Sequence, residues 1–200
     1  MDPNSTMNEP IRPIKRNRAP VGDPVVEASS DHVYSYSCAM LNLTELVSPI
    51  IRYWAIKYIP TDSLYVDEDN GMDGFEYTPH VTVKYGLHSV EPTELSELSK
   101  GCGPIELNFG EVSKFDTNPN FDVIKISIVS DKLNQLNKLI SDNMQHSDKY
   151  DEYNPHATIA YVKKGSCDHL VSDTFFDQLI DTIDTIYFAA RTGEDHQIGL

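Results

Sequence analysis

Pro79-His80-Val81-Thr82-Val83-Lys84-Tyr85 and Pro155-His156-Ala157-Thr158-Ile159-Ala160-Tyr161 spell one pattern twice, Pro-His-x-Thr-aliphatic-x-Tyr. Val, Ile, Thr and Tyr favour strands, and Pro is tolerated at a strand's first position. Side chains alternate between the two faces of a strand. His80, Thr82 and Lys84 are therefore expected on one face, with Val81, Val83 and Tyr85 on the other. His156 and Thr158 likewise oppose Ala157, Ile159 and Tyr161. Residues two apart on a strand lie about 7 Å from each other, so one anionic group can touch the imidazole and the hydroxyl together. A lone His-x-Thr is commonplace. A strand with no chemical task has little reason to set His and Thr on its polar face twice, in the same order after the same Pro.

Outward from these segments, the chain alternates strands and helices. His32 to Leu43 reads as a strand. Ser48 followed by Pro49 makes an N-cap and first helical position, for a helix that runs through Trp54 and ends before Pro60. Pro92 to Ser99 suggests a short helix, and Ile105–Phe109 with Val112–Phe115 a pair of strands. Asp122–Val129 is a strong strand. Ser130 can then cap a helix carrying Leu133, Leu136, Leu139, Ile140 and Met144 at helical spacing. Asp173–Leu179 reads as a helix, and Thr182–Ala190 and His196–Leu200 as strands joined at Thr192–Asp195. Each His/Thr segment thus has a strand and a helix upstream. The expected class is α+β, a duplicated half with two facing antiparallel sheets and flanking helices around a central cleft.

Length and composition bound the rest. Two hundred residues make about one domain. Residues 1–30, broken by five prolines and carrying Arg12, Lys15, Arg16 and Arg18, read as a disordered or extended tail, with a docking or nucleic-acid-binding arm as the alternative. The domain is expected over 31–200. There is no long apolar run for a membrane span and no secretory leader pattern. The three cysteines, Cys38, Cys102 and Cys167, are odd in number and widely spaced, which fits free thiols in a cytoplasmic setting. The acidic stretch Asp67–Gly74 fails the EF-hand pattern, because the last ligand position falls on His80. No His-Glu-x-x-His or Cys-x-x-Cys is present, so neither metal nor cofactor is expected. The formal charge of −15 argues against duplex DNA or long RNA and favours a small ligand with one or two phosphates. Monomer or small homo-oligomer are both open.

A free imidazole has a pKa near 6.5 and can give or take a proton at neutral pH. One neutral and one protonated histidine make a general base and a general acid. Thr82 and Thr158 can donate hydrogen bonds to non-bridging phosphate oxygens. Among binding residues, Tyr34 and Tyr36 share a strand face and either clamp a base or belong to the core. Trp54 reads as core. Lys84 either meets a second phosphate or is merely solvated. Glu76 and Glu194 either read a base edge or, as acidic loop residues, face solvent. His32, His88, His146, His169 and His196 lack the Thr partner and receive no role.

Two His-x-Thr motifs in one small chain resemble the signature of the two-histidine (2H) phosphoesterase superfamily. The stretch Gly74-Phe75-Glu76-Tyr77-Thr78-Pro79-His80-Val81-Thr82-Val83-Lys84-Tyr85-Gly86-Leu87 looks most like the phage branch that contains the anti-CBASS nucleases, which destroy cyclic nucleotide signals of bacterial antiviral defence. The resemblance extends from about residue 32 to the C-terminus. It implies two α+β lobes related by a pseudo-twofold axis, with one His/Thr strand from each side of the cleft. It also implies cleavage of a 3′–5′ phosphodiester by the neighbouring ribose 2′-hydroxyl, with a 2′,3′-cyclic phosphate then opened to a 3′-phosphate. Cyclic di- or trinucleotides would be the substrates, in the host cytoplasm if the chain is viral. The sequence does not decide which histidine starts as base; the working assignment is His156 as base and His80 as acid. Rival readings are an enzyme of RNA ends acting on 2′,3′-cyclic or 2′–5′ phosphates, a nucleotide-binding sponge or virion protein, and a zinc-binding interaction domain. The intact pair of His/Thr sets speaks against a pure binder.

Overall fold

The computed structural model describes residues 35–67, 73–148 and 152–200. Tyr34, the segment expected as a tail and most of the acidic stretch before Gly74 lie outside the described residues. The elements in chain order are β1 (Ser37–Asn42), α1 (Ser48–Tyr58), β2 (His80–Leu87), α2 (Thr93–Ser99), β3 (Ile105–Phe115), β4 (Phe121–Val129), α3 (Asp131–Asn143), β5 (His156–Lys163), β6 (Ile180–Ile183), β7 (Thr185–Ala189) and β8 (Asp195–Gly199). Short 3₁₀ turns occupy Thr61–Ser63 and Asp168–Leu170.

Instead of the two sheets expected, the eight strands form one antiparallel sheet in the order β6-β3-β4-β5-β2-β1-β7-β8. The two His/Thr strands, β2 and β5, are its central neighbours and meet at Val81 and Ala157. Beyond that pair the edge of β5 is bonded by the segment before β2, with Glu76 N–H donating to Ile159 O and Tyr161 N–H to Gly74 O, so few N–H and C=O groups are left open. A single residue, Asp184, separates β6 from β7, although they hold the first and seventh places in the sheet. Six strand spacings would amount to about 29 Å in a flat sheet. One residue spans at most about 3.6 Å, so the sheet must curl strongly.

One face of the sheet carries the core. Ala39, Leu41, Val81, Val83, Ile124, Ile126, Ala157 and Ile159 join Ile51 and Trp54 of α1 and Leu133, Leu136 and Ile140 of α3 in one apolar cluster. Burial of each large apolar side chain stabilises the fold by about 1.5–3 kcal/mol. The helices cross over: α1 follows β1 yet packs on β5, and α3 follows β4 yet packs on β2. Each His/Thr strand is thus backed by the helix of the other half.

Some local signals hold and others give way to pairing. Ser130 caps α3 as expected, its Oγ accepting from Leu133 N–H at 3.3 Å. Ser48 does not cap α1; Val47 takes that position, Ser48 Oγ donates to Leu43 O at 3.1 Å, and Pro49 sits in the first turn. The strand pair expected at 105–115 is one strand, because a bulge between Phe109 and Val112 absorbs Gly110 and Glu111 without breaking the pairing to β4. Residues 173–179 form turns instead of a helix. The Asp173 carboxylate accepts from Phe175 N–H at 2.8 Å and gives the backbone a local alternative to helical bonding. The strand expected over Thr182–Ala190 is split at Asp184, since β6 pairs with β3 and β7 with β1.

Candidate active site

The pairing of Val81 with Ala157 in antiparallel strands sets the geometry of the seam. Extended one step to either side of that pair, the antiparallel register turns His80 towards Thr158 and Thr82 towards His156. Directly opposed residues in such a ladder have Cα atoms about 4.5–5.5 Å apart. Val81 and Ala157 point into the core, so all four motif side chains project from the opposite face. All four are half-buried. The sequence holds two His/Thr pairs, and the fold interleaves them so that each histidine sits beside the other strand's threonine.

The ring orientations repeat as well. His80 Nδ1 donates to Thr78 O at 2.9 Å, and His156 Nδ1 donates to Asn154 O at 2.7 Å. A carbonyl only accepts, so the hydrogen of each neutral ring sits on Nδ1 and the lone pair on Nε2. The flanking strands continue the symmetry. On β1, Asn42 and Met40 lie beside His80 and Thr82; on β4, Ser127 and Lys125 lie beside His156 and Thr158. Both motif strands then shift register, β2 between Thr82 and Lys84 and β5 between Thr158 and Ala160.

The electrostatics are not symmetric. Burial pushes the His156 imidazole down from 6.5 to about 4. The hydrogen bond to Asn154 O opposes that shift, and the charges of Lys125 and His80 reinforce it. His156 is accordingly neutral at pH 7. Lys125 Nζ donates to Ser113 Oγ at 2.8 Å and lies 4.4 Å from the centre of the Phe115 ring, and burial lowers its pKa. The Phe115 ring also meets His156 edge-on, with centroids 4.9 Å apart. Near His80, the buried Glu76 carboxylate accepts from Thr78 N–H at 2.9 Å, and Glu76 N–H donates to Ile159 O. Burial, and the charge of Glu76, raise the Tyr161 phenol. Asn42 Oδ1 is buried without a hydrogen-bond partner among the described residues.

The other expected binding residues fare differently. Lys84 does not share the His80/Thr82 face: the register shift sets it opposite the core residue Ala39, buried and ion-paired to Asp148 at 3.1 Å. An unforeseen bulge overrides simple alternation. Glu76 is buried beside the motif strands, contrary to a solvent-facing loop position. Glu194 is largely exposed, with His196 Nε2 at 3.8 Å. Tyr36 is half-buried and stacks on His88 with centroids 5.4 Å apart, with Tyr85 edge-on at 6.4 Å. Tyr85 lies five residues along β2 from His80, about 17 Å in an extended strand. Trp54 is fully buried in the core. Sequence reasoning misses Lys125, Ser127 and Asn42. Lys125 and Ser127 are legible as the polar members of the alternating run from Ile124 to Val129, but only the pairing of β4 with β5 brings them to the motif. Among the described residues, no group of three or more His, Cys, Asp or Glu is placed to hold a metal ion.

Comparison with known proteins agrees with this fold. It is similar to that of E. coli LigT complexed with phosphate, at 16% identity and a TM-score of 0.50, with 82% of this chain and 93% of that chain covered. LigT complexed with 3′-AMP matches at 18% identity and a TM-score of 0.51, over 82% and 94% of the two chains. TT0787 of Thermus thermophilus matches at 14% identity and a TM-score of 0.52, again over 82% and 94%. No curated protein matches by sequence. The sequence profile of the 2′-5′ RNA ligase superfamily matches residues 79–191, from the Pro of the first motif to beyond β7 and over more than half of the chain. With both His/Thr motifs inside that match, the chain belongs to the 2′-5′ RNA ligase superfamily, the group of two-histidine phosphoesterases.

Proposed function

We propose that this chain is a metal-independent phosphodiesterase that cleaves 3′–5′ linkages of cyclic di- or trinucleotides. The observation that carries the reading is the β2–β5 seam, where His80 and His156 are each set beside a threonine of the opposite strand. In the first step, His156 takes the proton of the ribose 2′-hydroxyl as its oxygen attacks phosphorus. The bond from phosphorus to the leaving 5′-oxygen breaks, and His80, protonated on both ring nitrogens, gives that oxygen a proton. In the second step the roles reverse, and water opens the 2′,3′-cyclic phosphate to a 3′-phosphate. Each proton transfer contributes about 10²- to 10⁴-fold. Thr82 and Thr158 donate to the non-bridging oxygens as charge builds there. The neutral state of His156 at pH 7 supports its assignment as the starting base.

The formal charge of −15 favours a small ligand over a long polyanion. Counter-defence against CBASS in a phage-infected host cytoplasm is the setting that the motif likeness suggests. A second reading, an enzyme of RNA ends acting on 2′,3′-cyclic or 2′–5′ phosphates, draws support from the family's description and from the 3′-AMP complex of LigT. Purified protein incubated in excess chelator with cyclic dinucleotides, and in parallel with short RNAs bearing 2′,3′-cyclic or 2′–5′ phosphates, separates the two by mass spectrometry of the products. Linear products ending in 3′-phosphate from the cyclic dinucleotides support the first reading. Turnover of the RNA ends alone supports the second. Normal cleavage of a substrate with 2′-deoxyribose at the reacting linkage excludes attack by the neighbouring hydroxyl.

A further inference from the structure

Apart from Lys125, the half-buried or buried lysines of the described residues meet a carboxylate or, for Lys132, a backbone carbonyl, Pro104 O at 2.8 Å. Lys84 is paired with Asp148, and Lys114 with Asp122 and Asp168. Lys125 has a hydroxyl and an aromatic face as its neighbours and, among the described residues, no carboxylate within ion-pair distance. A cation taken from water is costly unless an anion or several acceptors compensate it. In a chain with nearly twice as many acidic as basic residues, 31 against 16, an acidic partner was readily available to evolution. Ser113 Oγ takes one of the three ammonium hydrogens of Lys125, which leaves two for a ligand. The pairing of β4 with β5 sets Lys125 directly beside Thr158, on the face from which His156 projects. The equivalent neighbour of Thr82 is Met40, an uncharged thioether.

We propose that Lys125 is a phosphate-gripping residue that works with Thr158, binding a non-bridging oxygen on the His156 side of the seam and making the two halves of the site unequal. This rests on the phosphodiesterase reading and adds to it the group that assigns base and acid. The charged groups that act on His156 are Lys125 from β4 and His80 from β2; Thr158 of β5, Ser127 of β4 and the Phe115 ring of β3 are uncharged neighbours. With Lys125 charged, an imidazolium at His156 is disfavoured until a phosphate arrives to neutralise the lysine. Once the phosphate is bound, its negative charge favours the proton that His156 takes from the 2′-hydroxyl.

Lys125→Met, which copies Met40, and Lys125→Arg are compared with the wild type. Three quantities are read: the dissociation constant of a nucleoside 3′-monophosphate, the pKa of His156 from NMR titration of its ring in the ligand-free protein, and kcat/KM for a cyclic dinucleotide. Lys125→Met is expected to weaken the monophosphate by about ten-fold or more, to raise the pKa of His156, and to lower kcat/KM by about 10²- to 10³-fold, the range for loss of one oxyanion donor. Lys125→Arg should retain most of the binding. A folded Lys125→Met protein that binds the monophosphate as the wild type does, with an unmoved His156 titration, overturns the assignment of Lys125 and leaves the phosphodiesterase reading standing. Wild-type protein that binds the monophosphate in a Lys125-dependent way, yet turns over no phosphodiester, overturns the phosphodiesterase reading and leaves the anion site standing. Wild-type protein that does not bind the monophosphate overturns the assignment of Lys125 as well.

Discussion

The Tyr153 hydroxyl donates to the carbonyl oxygen of Thr82 at 2.8 Å, tying the segment that leads into the second motif to the strand that carries the first. Burial raises the Tyr153 phenol far above its ordinary range, so it remains a donor at any working pH. Tyr153→Phe removes the hydroxyl and keeps the ring. A loss of about 1 kcal/mol in urea unfolding is expected, the usual worth of a hydrogen bond to a half-buried carbonyl. A variant as stable as the wild type would show that this link does not hold the two segments together.

Lys84 tests the register shift in β2. Because it is turned to Asp148 and away from the motif face, Lys84→Met should destabilise the fold by about 3 kcal/mol, the cost of breaking a buried ion pair. Turnover per folded molecule should be unchanged. A variant with intact stability and a raised KM would return Lys84 to the substrate side of the strand.

The depressed pKa of His156 has a signature in stability. Its folded value, about 4, lies below the ordinary 6.5, so between these values the unfolded chain binds the extra proton. Stability is unaffected above about pH 6.5 and falls as the pH drops towards 4. Screening of the half-buried ring leaves a change of about 2 kcal/mol over this window. Denaturant unfolding should show a loss between pH 7 and pH 4 that is larger in the wild type than in His156→Gln by about that amount. The remainder comes from shared groups such as Asp122, whose carboxyl burial would raise but Lys164 and Lys114 hold below its usual range. Equal slopes in the two proteins would place the His156 pKa near its unperturbed value.

The acid limb of kcat/KM should move with the same group. For the free enzyme, activity should persist well below pH 6, limited by His156 near pH 4. A half-maximal point at pH 6.5 would show that a histidine of ordinary pKa starts as the base.

The His/Thr strands are legible in the sequence because their chemistry and their periodicity coincide: His80, Thr82, His156 and Thr158 fall on alternate positions of apolar strands. Ser130 is legible as a cap for the same local reason. What local pattern cannot supply is partnership between distant strands. The join of β2 to β5 turns two expected sheets into one, and it depends on a single pair, Val81 and Ala157. The importance of Lys125 depends on β4 lying next to β5. The burial of Lys84 depends on a bulge that no turn residue announces. Asp173 misleads at 173–179 because its side chain can start a helix or bond within a turn, and the turn prevails.

Turnover of cyclic dinucleotides by His80→Ala and His156→Ala, measured in excess chelator on protein checked for native unfolding behaviour, bears most directly on the paired-histidine site. Each substitution should lower kcat/KM by about 10²- to 10⁴-fold. The double variant should lose much less than the product of the two, since the histidines act as a unit. Near-wild-type rates in either folded single variant would contradict catalysis across the seam between β2 and β5.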